Sequence, residues 1–152
     1  MATIKEFAER WDRMLSSGSI WVEAVEGTDA QLMDVNKEQL KHGTGSDGKP
    51  LPHYKKFVMP GGQLYGDAKT KMNPENGGRW DMNWTGYSLS TMSMALDGLK
   101  IHISSQGHAR DWDMKLGGDI FGVYENSPLE NYRKKFLYPL LVRLIKEQTG
   151  AK

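Results

Sequence analysis

The sequence has 152 residues, with 20 Lys and Arg against 19 Asp and Glu, and no cysteine. Its length suits one domain with one hydrophobic core, and 38% apolar with 10% aromatic residues excludes an intrinsically disordered chain. A net charge of +1 gives no broad attraction to nucleic acid or an anionic membrane, and without cysteine there are no disulfides or thiolate metal sites. No apolar run approaches the ~20 residues of a membrane span. Residues 1–13 are charged and amphipathic, unlike a signal peptide, so we expect a protein made inside the cell.

The N-terminal part, residues 1–42, is predicted to be helical. Thr3 and Glu6 fit a capping box, and the residues after them predict a first helix from about residue 4 to 16. The apolar stripe of this helix is Ile4, Phe7, Ala8, Trp11, Met14 and Leu15. Ser16 to Gly18 should end it.

A second helix is predicted to begin at Ser19 as its capping residue and to run as far as Gly43. Its stripe is Trp21, Ala24, Val25, Thr28, Leu32 and Val35. Gly27 weakens the middle, and a break near Asn36 would give two shorter helices instead of one.

Residues 43–84 change in character, because glycine and proline recur throughout and no regular element of any length fits. Gly43, Gly45 and Gly48 are typical of a turn. A long irregular stretch in a compact domain is either a segment that orders on a partner or a variable surface excursion, and the sequence leaves both open.

A β-hairpin is predicted within residues 85–105, centred on Asp97-Gly98 in a type I′ turn. The alternating apolar residues are Met92, Met94, Leu96, Leu99, Ile101 and Ile103. Polar residues between them predict that one face of the hairpin contacts water. Leu89 is out of phase, which indicates a bulge or a later start.

After a polar link from Ser105 to Asp113, the final segment, residues 120–150, should contain a helix that starts at Ser127-Pro128-Leu129-Glu130 and ends near Gly150. Pro139 should kink this helix or divide it at residue 138. The residues expected to be buried are Leu129, Tyr132, Phe136, Leu137, Leu140, Leu141, Leu144 and Ile145. The whole chain, 1–152, is therefore predicted to be a single α+β domain, with N-terminal helices, a central antiparallel hairpin and a C-terminal helix packed on the sheet.

No catalytic, metal-binding or cofactor-binding constellation is predicted. The histidines His42, His53, His102 and His108 lack metal-ligand spacing, and no nucleophile elbow or phosphate loop occurs. The aspartates Asp111, Asp113 and Asp119, downstream of His108, could form a hydrolytic site but do not match a calcium loop.

Five tryptophans and nine methionines favour core filling, with an adhesive surface as the alternative. The basic residues form three local clusters, which are Lys55-Lys56, Lys69 with Lys71, and Arg133-Lys134-Lys135. Together with nearby aromatic residues, the 54–84 loop has the ingredients of a nucleic-acid-binding module. Interspersed acidic residues favour a solvated face instead.

Three segments, spread over about residues 36–148, together resemble the phage virion morphogenesis, or tail-completion, proteins. The first is Asn36-Lys37-Glu38-Gln39-Leu40, followed by Gly43, Ser46-Asp47-Gly48-Lys49-Pro50-Leu51 and Tyr54. The second is Thr85-Gly86-Tyr87-Ser88-Leu89-Ser90, which leads into the hairpin. The third is Ile120-Phe121-Gly122-Val123, with the Ser127-capped helix and Phe136-x-x-Pro139. The linker from Tyr54 to Trp84 departs from the family pattern.

The resemblance implies a virion subunit without enzymatic activity, made in the bacterial cytoplasm and placed at the head-to-tail junction of a bacteriophage or prophage particle. Its partners would be copies of itself in a ring and the portal and tail proteins, without direct DNA contact. The candidate interface residues are Tyr54, Tyr65, Trp80, Trp84, Tyr87 and Trp112. A nucleic-acid-binding module and a phage-encoded hydrolase are the alternatives.

Overall fold

The computed structural model describes residues 4–54, 58–82, 86–118 and 120–150. The first helices are α1 (Ile4–Ser17), α2 (Ser19–Glu26), α3 (Asp29–Lys41) and α4 (Tyr65–Met72), the last followed by a 3₁₀ turn (Pro74–Asn76). Next come α5 (Tyr87–Ser90), the strands β1 (Ser93–Asp97) and β2 (Lys100–Ser104), and α6 (His108–Lys115). The C-terminal segment is α7 (Ser127–Tyr132), a π-helical turn (Arg133–Leu137) and α8 (Tyr138–Thr149). The fold is α+β, as predicted.

The core consists of two apolar clusters. The helical cluster joins α2 and α3 to the C-terminal helices, and its buried members include Ile20, Ala24, Leu32, Leu129 and Leu141. The second cluster lies under the hairpin and the long central segment, and contains Leu40, Leu51, Trp80, Met82, Met92, Ile103, Ile120 and Phe121. Met94 and Val123 pack against both clusters, so the hairpin and the 120–124 segment connect the two halves.

The first helix is confirmed, although Thr3 of the predicted capping box lies outside the described residues. The second helix divides at Gly27, not near Asn36. Thr28 explains the break. Its hydroxyl donates to the carbonyl of Ala24 at 2.9 Å and also contacts the Tyr132 hydroxyl at 2.8 Å. The chain therefore turns at a side chain that is held by both α2 and α7. Ser19 is not the cap, since Gly18 precedes the helix in a left-handed conformation.

The hairpin is confirmed, but its predicted turn type is wrong. Asp97 pairs with Lys100, which makes Gly98 and Leu99 the two loop residues, and Gly98 has φ 58. Among the described non-glycine residues only Met82 has positive φ, so the turn lacks the second positive φ of type I′, and glycine in the first loop position is the type II′ pattern. The hydrophilic face contacts water as predicted, and Leu89 is out of phase because it belongs to α5.

The prediction of no regular element in residues 43–84 is wrong, because α4 and a 3₁₀ turn form there. The turn predicted at Gly43 to Gly48 is confirmed: the Gly45 amide donates to the Lys49 carbonyl at 2.9 Å, and Thr44 bridges Pro50. The polar link from Ser105 to Asp113 contains most of α6, a helix that the sequence analysis does not predict.

The C-terminal helix forms as predicted and ends at Gly150, but its cap is Asn126 and not Ser127, since the Asn126 side chain accepts the Leu129 amide at 2.8 Å. Proline at residue 139 has no amide to donate to the preceding turn, and the helix widens there into the π-helical turn, after which α8 begins at residue 138. Phe136 is predicted to be buried, but it lies in this π-helical turn and is 43% exposed.

Candidate functional site

A buried ion pair lies in the central segment. The Nζ atom of Lys69 on α4 is 2.7 Å from Oδ1 of Asp81, and the side chains are 0% and 2% exposed. The Tyr54 hydroxyl donates to the same Asp81 oxygen at 3.1 Å, and Nδ2 of Asn73 donates to the other at 3.4 Å. The sequence interpretation of Lys69 as part of a basic surface cluster is therefore wrong, because this lysine is in the interior.

Two tyrosine rings enclose the ion pair. Lys69 Nζ is 5.3 Å from the centre of the Tyr54 ring, and the Tyr54 and Tyr65 rings meet edge to face at 4.9 Å. Burial, together with the adjacent Asp81 carboxylate, raises the pKa of the Tyr54 hydroxyl, and the same causes in the same order raise the pKa of Tyr65. Both tyrosines stay protonated at neutral pH, and Tyr54 donates its hydroxyl hydrogen to Asp81.

Two of the three segments quoted for the resemblance, the first and the third, meet at Gly122. Gln39 Nε2 donates to the carbonyls of Gly122 and Gly45, both at 2.9 Å, and Asn36 Nδ2 also donates to the Gly122 carbonyl. Asn36 Oδ1 is buried without a hydrogen-bond partner. Gly122 has φ 141, and a Cβ there would lie 2.8 Å from the Cβ of Ser46, so only glycine fits the close approach of the turn.

The predicted interface residues are distributed between core and surface. Trp80 is buried and meets Trp112 edge to face with ring centres 4.4 Å apart, which is the core-filling role of tryptophan. Tyr54 and Tyr65 belong to the buried polar cluster just described. Tyr87 is 53% exposed, and Trp84 lies outside the described residues.

Among the described residues, the structure does not assemble the other chemical candidates into a site, and the side chain of His108 lies outside the description. In the described ranges, no three His, Asp or Glu side chains are arranged to hold a metal ion. Asp113 Oδ1 accepts the amides of Ile120 and Phe121 at 2.9 and 3.4 Å, which gives it a structural role, and Asp119 lies outside the described residues. His42 contacts Glu38 and Glu75, whereas His53 and His102 are exposed.

An apolar groove of about 570 Å³ lies between α2, the hairpin tip and the C-terminal helices. Its walls include Trp21, Val25, Leu96, Leu99, Tyr132 and Leu137. Leu99 is 72% exposed and Trp21 is 42% exposed, so apolar surface remains open to water. Sequence reasoning had assigned Leu99 to the buried face of the hairpin and therefore missed the groove.

No protein-family model, no curated protein and no solved structure matches the chain. None of the described helices combines the length and apolar character that a membrane crossing requires.

Proposed function

We propose that the chain is a structural subunit of a bacteriophage or prophage particle, placed at the head-to-tail junction, where copies form a ring between the portal and the tail. The proposal starts from the resemblance of three segments to tail-completion proteins. The packing around Gly122 supports it, because Gln39 of the first segment hydrogen-bonds to Gly122 of the third, and Ser46 lies against the same glycine. Segments that share a family pattern are expected to form one structural unit.

A ring subunit needs a stable fold and an exposed apolar surface that a neighbour can cover, and two sets of contacts in this chain support that role. The buried ion pair and the Gly122 contacts fix the central segment, while the apolar groove leaves side chains such as Leu99 exposed for a neighbour. The nucleic-acid alternative loses support, since Lys69 and Trp80 of its basic and aromatic loop are buried.

The test is to place an early stop codon in the coding sequence within the phage or prophage that carries it. We expect filled heads and separate tails under the electron microscope, and restored joining when the wild-type chain is supplied from a plasmid. Mass spectrometry of purified wild-type particles should find peptides of this chain. Particles that lack these peptides, together with normal assembly in the stop-codon strain, would overturn the proposal.

A further inference from the structure

The 58–64 loop is a preformed apolar projection on the central segment. Val58 and Leu64 form a β-bridge, the Met59 amide donates to the Gln63 carbonyl at 2.8 Å, and the Gly62 amide donates to the Met59 carbonyl at 3.0 Å. Val58 is 64% exposed, and nothing lies within 4 Å of the position that a Cβ would take at Gly61 or Gly62. A loop that is already closed by its own hydrogen bonds loses little conformational entropy on binding.

The loop and the apolar groove are chemically matched. Residues 58–64 contain no charged side chain in a sequence that is 26% charged. The two charged residues that line the groove, Glu125 and Arg133, form an ion pair with each other at its rim. An uncharged loop can therefore enter without leaving a charge desolvated and unpaired.

The loop and the groove belong to different halves of the molecule. The groove is lined by residues from 21 to 32 and from 96 to 138, and none of its described walls comes from the 43–82 segment. The loop leads directly into Tyr65, whose ring contacts Tyr54, which packs against the second cluster and not the helical one. A contact between loop and groove would thus join two molecules through two different surfaces, an arrangement that forms a ring when the rotation between neighbours closes.

We propose that the 58–64 loop of one copy inserts into the apolar groove of a second copy. The inference rests on the proposed ring function and names the contact between neighbouring subunits. The proposed contact uses a loop of seven residues, 58–64, whereas a standard interface has about 20–30 residues a side. The contact is consequently weak between two free copies and gains strength when the ring closes.

The absence of cysteine permits a direct test with the purified full-length chain at high concentration. Val58→Cys and Leu99→Cys proteins are mixed, oxidised and digested, and the 58–99 disulfide is quantified by mass spectrometry. The matched control replaces the second protein with Met114→Cys, since Met114 is 62% exposed but does not line the groove. Because all three positions are exposed, each variant should retain the wild-type melting temperature.

We expect the 58–99 disulfide to exceed the 58–114 disulfide at least tenfold, and adding Ile101→Asp to the Leu99→Cys protein should abolish the excess. Equal yields of the two disulfides would overturn the proposed contact, as would native mass spectrometry showing a small apolar ligand in the groove. These outcomes do not depend on whether the chain is present in virions, so failure of the contact and failure of the neck function are distinguishable.

Discussion

Lys69 and Asp81 form an ion pair that holds α4 to the end of the central segment, with Nζ 2.7 Å from Oδ1 and both side chains removed from water. Replacing one partner leaves the other as a buried charge without its counter-ion. Lys69→Met should therefore lower the free energy of unfolding by about 3–5 kcal/mol, measured by urea denaturation. Lys71→Met, which changes an exposed lysine on the same helix, is the control and should alter it by less than about 0.5 kcal/mol.

The double variant Lys69→Met with Asp81→Leu tests how much of this loss in the free energy of unfolding comes from leaving one charge unpaired and how much from losing the ion pair itself. Apolar side chains of similar volume often replace a buried pair with little loss. We expect the double variant to be more stable than either single variant, which appears as coupling in a double-mutant cycle. Additive losses would show that the two side chains act independently and would contradict the structure.

Tyr54 should make the protein sensitive to alkali. Burial raises its pKa in the folded state above the ordinary tyrosine value of 10.0, so the unfolded chain loses this proton first as the pH rises. The contribution of Tyr54 to the free energy of unfolding is therefore fully present below about pH 10. Above about pH 10 the free energy of unfolding declines, by up to about 1.4 kcal/mol per pH unit from this one group. Urea denaturation at a series of pH values measures the slope.

Tyr54→Phe should reduce this alkaline slope, although Tyr65 and Tyr132, whose pKa values are also raised by burial, will keep part of it. At neutral pH the same variant should lose about 1–3 kcal/mol, because the Asp81 carboxylate loses a hydrogen bond. Tyr138→Phe changes a ring that is 47% exposed and is the control. An unchanged slope in the Tyr54 variant would contradict the buried position of the hydroxyl.

The elements that sequence reasoning predicted well have local causes. The first helix follows from its apolar periodicity, and the hairpin from alternation on both sides of a glycine turn. The exact turn type depends on the register between the two strands. Because Asp97 pairs with Lys100, the two loop residues are Gly98 and Leu99 instead of the predicted Asp97 and Gly98.

The features that sequence reasoning missed depend on contacts between distant segments. Tyr65 and Ala68 have the spacing of a helix, but the pattern is too short to predict α4 in a stretch that is rich in glycine and proline. Nothing in the local sequence distinguishes Lys69 from the exposed Lys71, since its burial is decided by Asp81 and Tyr54, which reach it only in the fold. The apolar groove was missed for a different reason: Leu99 continues the apolar alternation of the strand, but the pairing of Asp97 with Lys100 places it in the turn.

Gly122 should not tolerate a side chain. Gly122→Ala places a Cβ 2.8 Å from that of Ser46 at a φ of 141, and we expect a loss of about 2–4 kcal/mol in the free energy of unfolding. Gly117→Ala is the matched control, because its φ is also positive but nothing lies within 4 Å, so a loss of about 1 kcal/mol is expected. Adding Ser46→Gly to Gly122→Ala should recover the steric part of the loss only. Equal losses at both glycines would exclude the close approach.

The two candidate caps of α7 can be compared directly. Sequence reasoning placed the cap at Ser127, whereas the structure has the Asn126 side chain accepting the Leu129 amide at 2.8 Å. Asn126→Ala should therefore lower the free energy of unfolding by about 1 kcal/mol, since the Leu129 amide loses its acceptor. Ser127→Ala should change it by less than about 0.5 kcal/mol, because Ser127 is exposed and already lies in the first turn. Thermal and urea unfolding of the two variants measure the difference, and a larger loss at Ser127 would restore the capping box that the sequence suggests.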